Sequence, residues 1–251
     1  MKNILQIFAA ILFISLSNFC SSNNAEGISG NINPISQKKI NVPEPSGLYF
    51  DEVKNTLWTV SDESTKIYNI DFNGNVLNSF SINGFDLEGI TFINDTTIAT
   101  ILERTREVVL LNISGIEISR FSLDLYGKPN SGLEGIEYNP NNKHLFVVNE
   151  KSPSLLIETD LKGNILSKKK IDFAKDLSGL CYDKEKNELW MISDESKAIF
   201  KCSTDGKLIQ KYEVDIKQIE GIAINFSQKK IYIISDPEET LYIFDLPSKS
   251  L

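Results

Sequence analysis

The sequence predicts an all-β protein, a five-bladed β-propeller of four-stranded antiparallel blades, closed by an N-terminal strand that pairs onto the last blade. Three observations predict it. A short motif recurs five times, its glycines (Gly47, Gly89, Gly135, Gly179, Gly221) 42, 46, 44 and 42 residues apart. Each copy opens a series of short runs rich in β-branched and aromatic residues, cut by Gly, Asn and Asp turns. The fifth series is one run short, and an unassigned run of the missing kind precedes the first. Four strands per unit at a period in the forties is the signature of a propeller blade.

The motif is clearest in Leu87-Glu88-Gly89-Ile90, Leu133-Glu134-Gly135-Ile136 and Ile219-Glu220-Gly221-Ile222; Ser46 and Ser178 replace the Glu in the other two copies. The strand it opens would lie nearest the axis, where a Gly lets backbones approach closely. A polar turn leads to a more apolar second strand, as in Leu57–Val60, Leu145–Val148 and Leu189–Ile192, and each such strand runs into an acid: Asp62, Glu103, Glu150, Asp194 or Asp236. A third strand and a turn carrying Gly74, Gly115, Gly163 or Gly206 follow, then a polar fourth strand such as Ile165–Ile171. Alternating runs of this composition read as antiparallel strands. No stretch after residue 20 keeps a helical period. After Phe244 too little chain remains for a fourth strand, whereas Ile35–Ile40 resembles Ile165–Ile171 and stands at the same distance ahead of a Ser-Gly step. This segment is expected to complete the fifth blade, leaving only protected edges.

Residues 1–19 read as a signal peptide: Lys2, then an apolar run over residues 4–19. The run ends at Cys20, which stands where a bacterial lipoprotein carries its lipid, although Phe19 is bulkier than the small residue expected there. Residues 20–34, small and polar, read as a lipid-anchored tether, and residues 35–251 as the propeller domain. The protein is thus expected to be exported and held at a membrane of the cell envelope, as a monomer. Cys181 and Cys202 fall on the first and third strands of one blade, ~10 Å apart and too far for a disulfide. They are expected to be buried free thiols. The net charge of −8 makes nucleic acid a poor partner; Lys168-Lys169-Lys170 reads as a solvated outer strand.

Glu88, Glu134 and Glu220 precede the first strand of their blades, and Glu103 and Glu150 follow the second. In antiparallel neighbours the start of one strand lies beside the end of the next, so both sets should share one face of the disc, with the first set crowding the channel mouth. Carboxylates facing one axis either protonate or hold a cation. Oxygen-only donors suit Ca²⁺. Glu88, Glu134, Glu220, Glu103 and Glu150 are therefore the candidate metal ligands. Asp62 and Asp194, in Ser-Asp-Glu-Ser steps, read instead as turn caps. His144 is the sole histidine, which argues against a Ser-His-Asp triad.

These Glu-Gly motifs, with the Ser-Asp steps at Ser61-Asp62, Ser193-Asp194 and Ser235-Asp236, resemble the SdiA-regulated family of bacterial propellers, distantly similar to NHL-repeat proteins. The resemblance covers residues 35–246. It implies a five-bladed ring with bound calcium and no established activity. The first functional reading is a non-catalytic, envelope-tethered module that binds a small molecule or an envelope protein. The alternative is a calcium-dependent hydrolase, phytase-like or lactonase/esterase-like, with its site on the channel face. A phytase-like site needs several cations beside the metal, and only Arg104, Arg106, Lys151 and Lys197 lie near that face.

Overall fold

The computed structural model describes residues 28–247, and the side chains of residues 30–247. The apolar run, Cys20 and the first part of the tether lie outside the described residues. Blade 1 is built from β3 (Pro45–Asp51), β4 (Thr56–Ser61), β5 (Lys66–Ile70) and β6 (Val76–Ser81). Blade 2 contains β7 (Leu87–Asn94), β8 (Thr97–Leu102), β9 (Glu107–Asn112) and β10 (Glu117–Ser122). Blade 3 contains β11 (Leu133–Asn139), β12 (His144–Asn149), β13 (Leu155–Thr159) and β14 (Ile165–Lys170). Blade 4 contains β15 (Gly179–Asp183), β16 (Glu188–Ser193), β17 (Ala198–Ser203) and β18 (Leu208–Glu213). Blade 5 contains β19 (Ile219–Asn225), β20 (Lys230–Ser235) and β21 (Thr240–Asp245).

The fourth strand of blade 5 comes from the N-terminal side, as expected. It is β2 (Ser36–Lys39), antiparallel to β21 with Ser36 opposite Ile243 and Lys39 opposite Thr240. A further strand departs from the sequence reading. Residues assigned to the tether form β1 (Ile28–Asn31), which pairs in parallel with β18 and gives blade 4 a fifth strand. Four residues of mixed polarity carry no period from which to read it. Main-chain hydrogen bonds hold it, and these do not depend on side-chain type.

The core lies between blades. Five apolar clusters each join two neighbours: Trp58 and Val60 of blade 1 with Ile90 and Ile98 of blade 2, and so on round to Tyr232 and Ile234 of blade 5 with Leu48 and Phe50 of blade 1. The motif glycines show why the centre tolerates no side chain. A Cβ on Gly89 would meet the Glu134 carbonyl oxygen at 3.0 Å, one on Gly179 the Glu220 oxygen at 3.1 Å, and one on Gly221 the Gly47 carbonyl carbon at 2.8 Å, so the contacts run to the last blade and back to the first. At Gly47 the constraint is double: φ is +47° and a Cβ would lie 2.4 Å from the Glu88 carbonyl oxygen. Gly47→Ala is therefore expected to cost about 2–4 kcal/mol, from a left-handed backbone plus a displaced neighbouring strand. Urea denaturation measures it; a cost below 1 kcal/mol would mean that the inner strands are not held this close.

Cys181 and Cys202 are buried free thiols. His144 opens β12, its Nδ1 2.7 Å from Glu158 Oε1.

Candidate metal centre at the channel mouth

The first strands of blades 2, 3 and 5 each carry a register irregularity at their Glu. Leu87, Leu133 and Ile219 pair with the second strand, as do Gly89, Gly135 and Gly221, but Glu88, Glu134 and Glu220 are skipped. A bulged residue is released from the alternation of the strand and its side chain re-aimed. Here that brings a glutamate to the axis. The second set reaches the same place from the ends of β4, β8, β12, β16 and β20. As a result Ser46, Glu88, Glu134, Ser178 and Glu220 line one cavity of about 320 Å³ together with Asp62, Glu103, Glu150, Asp194 and Asp236.

Within this cavity the five predicted ligands divide. Carboxylate oxygens of Glu103, Glu134 and Glu150 lie within 4.8 Å of one another, across the seam between blades 2 and 3. Glu88 groups at the same range with Asp62 and Asp86, across the seam between blades 1 and 2. Glu220 lines the cavity but belongs to neither group.

Asp62 and Asp194 are not the turn caps the sequence predicts. The preceding serines do that work: Ser61 and Ser193 hydroxyls each accept a hydrogen bond at 3.0 Å, from the Ser64 and Ser196 amides. The aspartates are left to face the mouth, Asp194 accepting from Lys197 Nζ at 2.8 Å.

Asp86 and Asp176, both buried, join the site without standing in either predicted set. Asp86 holds Arg104 Nε at 2.8 Å. Asp176 accepts from the Ser193 hydroxyl and from the Glu195 amide. Their signal is a slot two residues ahead of the Glu/Ser position, where the five repeats carry Glu44, Asp86, Gly132, Asp176 and Gln218.

Burial and mutual repulsion push these acids up. Glu134 stands well above the usual carboxylate range, chiefly by burial and then by Glu88, Glu220, Glu103 and Glu150. Glu88 is likewise raised by burial. Burial lifts Glu220 to about 8, helped by Asp194 and Asp236. It lifts Glu103 to about 7, against the hydrogen bond that Glu103 Oε1 accepts from the Gly132 amide at 2.9 Å. Burial raises Glu150 too, opposed by Lys151 at 2.7 Å. The basic groups nearby are engaged: Lys151 with Glu150 and Glu195, Arg106 with the Lys128 carbonyl at 2.7 Å, Arg104 with Asp86 and Lys197 with Asp194.

The donor set fits a hard cation. Its ligating atoms are all carboxylate oxygens, and oxygens up to 4.8 Å apart can both reach a Ca²⁺ at ~2.4 Å. Asp236 Oδ1 is buried in the same cavity with no hydrogen-bond partner. A cation between Glu103, Glu134 and Glu150 would relieve the repulsion among these three raised carboxyls.

Fold and site together define a five-bladed propeller with a carboxylate-lined channel mouth. The chain belongs to the SdiA-regulated family, whose model matches residues 31–245. Solved structures share the fold at low identity. Glutaminyl cyclase of Myxococcus xanthus is 10% identical, with 89% of this chain and 100% of that one covered and a TM-score of 0.67. The nidogen/laminin complex contributes a chain 16% identical, with 80% and 76% covered and a TM-score of 0.59. Virginiamycin B lyase of Staphylococcus aureus is 16% identical, with 85% and 74% covered and a TM-score of 0.51.

Proposed function

We propose that this chain is a calcium-binding propeller tethered to the cell envelope, a non-catalytic module that receives a small molecule or an envelope protein at its acidic mouth. The observation that carries the reading is the convergence of Glu103, Glu134 and Glu150 across one blade seam. Such a site, filled, ties separate blades together and presents a charged, rigid surface to a ligand. Calcium analysis of the purified protein tests it. About one equivalent or more retained after desalting is expected, and a metal-free protein that takes up none would end the reading.

The second reading is a calcium-dependent hydrolase of phytase or lactonase type. Proteins named as a cyclase and a lyase share the fold, which leaves catalysis open to such a ring. The engagement of Lys151, Arg104, Arg106 and Lys197 by protein groups weighs against phosphate binding. A phosphatase and esterase screen in calcium decides between the two, turnover favouring the hydrolase.

Tethering rests on the apolar run that ends at Cys20. Cys20→Ser is expected to release the protein from the membrane fraction or leave an unprocessed precursor of lower gel mobility. Unchanged fractionation together with unchanged mobility would show that this cysteine carries no lipid.

A further inference from the structure

The other end of the channel opens into a second, larger cavity of about 830 Å³. Its floor is a ring contributed by one position of the repeat, two residues after each motif glycine: Tyr49, Thr91, Glu137, Cys181 and Ala223. Five equivalent sites thus present a phenol, a hydroxyl, a carboxyl, a thiol and a methyl. A purely structural ring would need no such variety. Tyr49 stacks on Phe92 at 4.9 Å to form part of the wall, and Tyr138 lines the cavity half-buried. The volume lies within the range of small-molecule sites.

Glu137 is the one carboxyl on this floor, and it is buried. It accepts a hydrogen bond from the Thr91 hydroxyl at 3.0 Å. Burial raises it to about 8, only partly offset by Thr91 and the Tyr138 and Tyr182 amides. The titratable groups beside it are the Tyr49 phenol and the Cys181 thiol, both raised first by burial and next by Glu137 itself. The lysines of the rim are already engaged: Lys184 with Glu52 at 2.8 Å, and Lys54 near Asp51 and over the Trp58 ring. Asp51, Glu52 and Asp183 are offset by these lysines and by Lys186, which leaves the rim acids Asp95 and Glu185, without a salt-bridge partner among the described residues, to add negative potential. A buried acid without a cation, under aromatic walls and an acidic rim, disfavours anions and suits a positively charged organic group.

We propose that this second cavity binds an organic ammonium ion with an aromatic body, its ammonium group against the Glu137 carboxyl and its ring along Tyr49 and Phe92. On binding, the Glu137 proton leaves to solvent and the carboxylate pairs with the ammonium. The site is independent of the acidic mouth.

Calorimetric titration of the full chain with tyramine tests it, with 4-ethylphenol as the same body lacking the amine. Tyramine is expected to bind at least about tenfold more tightly than 4-ethylphenol and, at pH 7, to release close to one proton, read from the heats in two buffers of different ionisation enthalpy. Its affinity should rise about tenfold between pH 6 and pH 7 and level off above pH 8, as the acid's value of about 8 requires. Glu137→Gln should abolish both the proton release and the preference. Tyr138→Ala, at the half-buried wall, should weaken tyramine several-fold while keeping the proton release, and it serves if Glu137→Gln does not fold. Equal binding of the two compounds, no tyramine binding at millimolar concentration, or binding that responds to Glu134→Gln at the mouth and ignores Glu137→Gln would each overturn the proposal.

Discussion

A chain lacking residues 21–40 is expected to lose its cooperative thermal transition, while one lacking only residues 21–27 melts like the full chain. The longer deletion removes β2 and with it the closure of the ring. The Ile35 amide donates to the Ile243 carbonyl and the Ile40 amide to the Glu239 carbonyl, each at 2.8 Å, at the two ends of that pairing. Ile40, 1% exposed, packs with Tyr232, Ile234 and Leu241 of blade 5 and with Leu57 and Ile70 of blade 1. Losing a buried isoleucine costs about 2–5 kcal/mol, and each lost ladder bond about 1 kcal/mol. Together these approach the ~5–15 kcal/mol that holds a domain folded. The exposed β21 would also become an open edge. A cut after Ile32 removes β1 alone and should fall between, since β1 pairs only with the outermost strand of blade 4. Scanning calorimetry of the three truncations checks the order; equal melting temperatures would show that β2 does not close the ring.

Calcium should raise the melting temperature by about 5–10 °C, and a chelator should remove the gain. A ligand that binds only the folded ring stabilises it by about 2.7 kcal/mol at a hundredfold excess over its Kd, and a domain of this length gains ~2–4 °C per kcal/mol. Glu134→Gln should cut that calcium effect by more than half, because Glu134 belongs to the Glu103–Glu150 group. Glu185→Gln, in an exposed turn at the other end of the channel, should leave it intact.

The metal-free ring should also respond to pH with a definite sign. Glu103 and Glu220 stand at about 7 and about 8 against an ordinary 4.5. Raised folded-state values mean that the folded form holds protons the unfolded form has released. Their contribution is full below pH 4.5 and lost as pH rises through 7 to 8, a fall of up to ~8 kcal/mol before solvent screening of Glu103 at the cavity mouth reduces it. Calcium should flatten this slope by replacing the protons. A melt that ignores calcium, chelator and pH alike would falsify the acidic mouth as a cation site.

Much of this molecule is legible in the chain because a propeller repeats itself. Five in-phase glycines announce five inner strands, and the missing fourth strand of blade 5 has its counterpart at Ile35–Ile40. The acids after the second strands reveal their common face through antiparallel geometry alone. β1 was illegible for the converse reason, since a four-residue strand held by main-chain hydrogen bonds leaves no pattern of side chains. The caps at Ser61 and Ser193 were misread because Ser and Asp both suit that task and stand next to each other, and only coordinates tell which oxygen meets the amide.

The sequence by itself determined the ring, its blade count, its closure and the ten Glu, Asp and Ser positions that face one mouth, since each follows from period and strand direction. Tertiary structure decided how those positions are shared out. Glu103, Glu134 and Glu150 meet across one seam, Glu88 joins Asp62 and Asp86 across the next, and Glu220 stands apart. A repeat places residues by angle around an axis, whereas ligation depends on ångström-scale offsets. Those are set by where each bulge releases its side chain and by how closely each glycine lets the next blade approach.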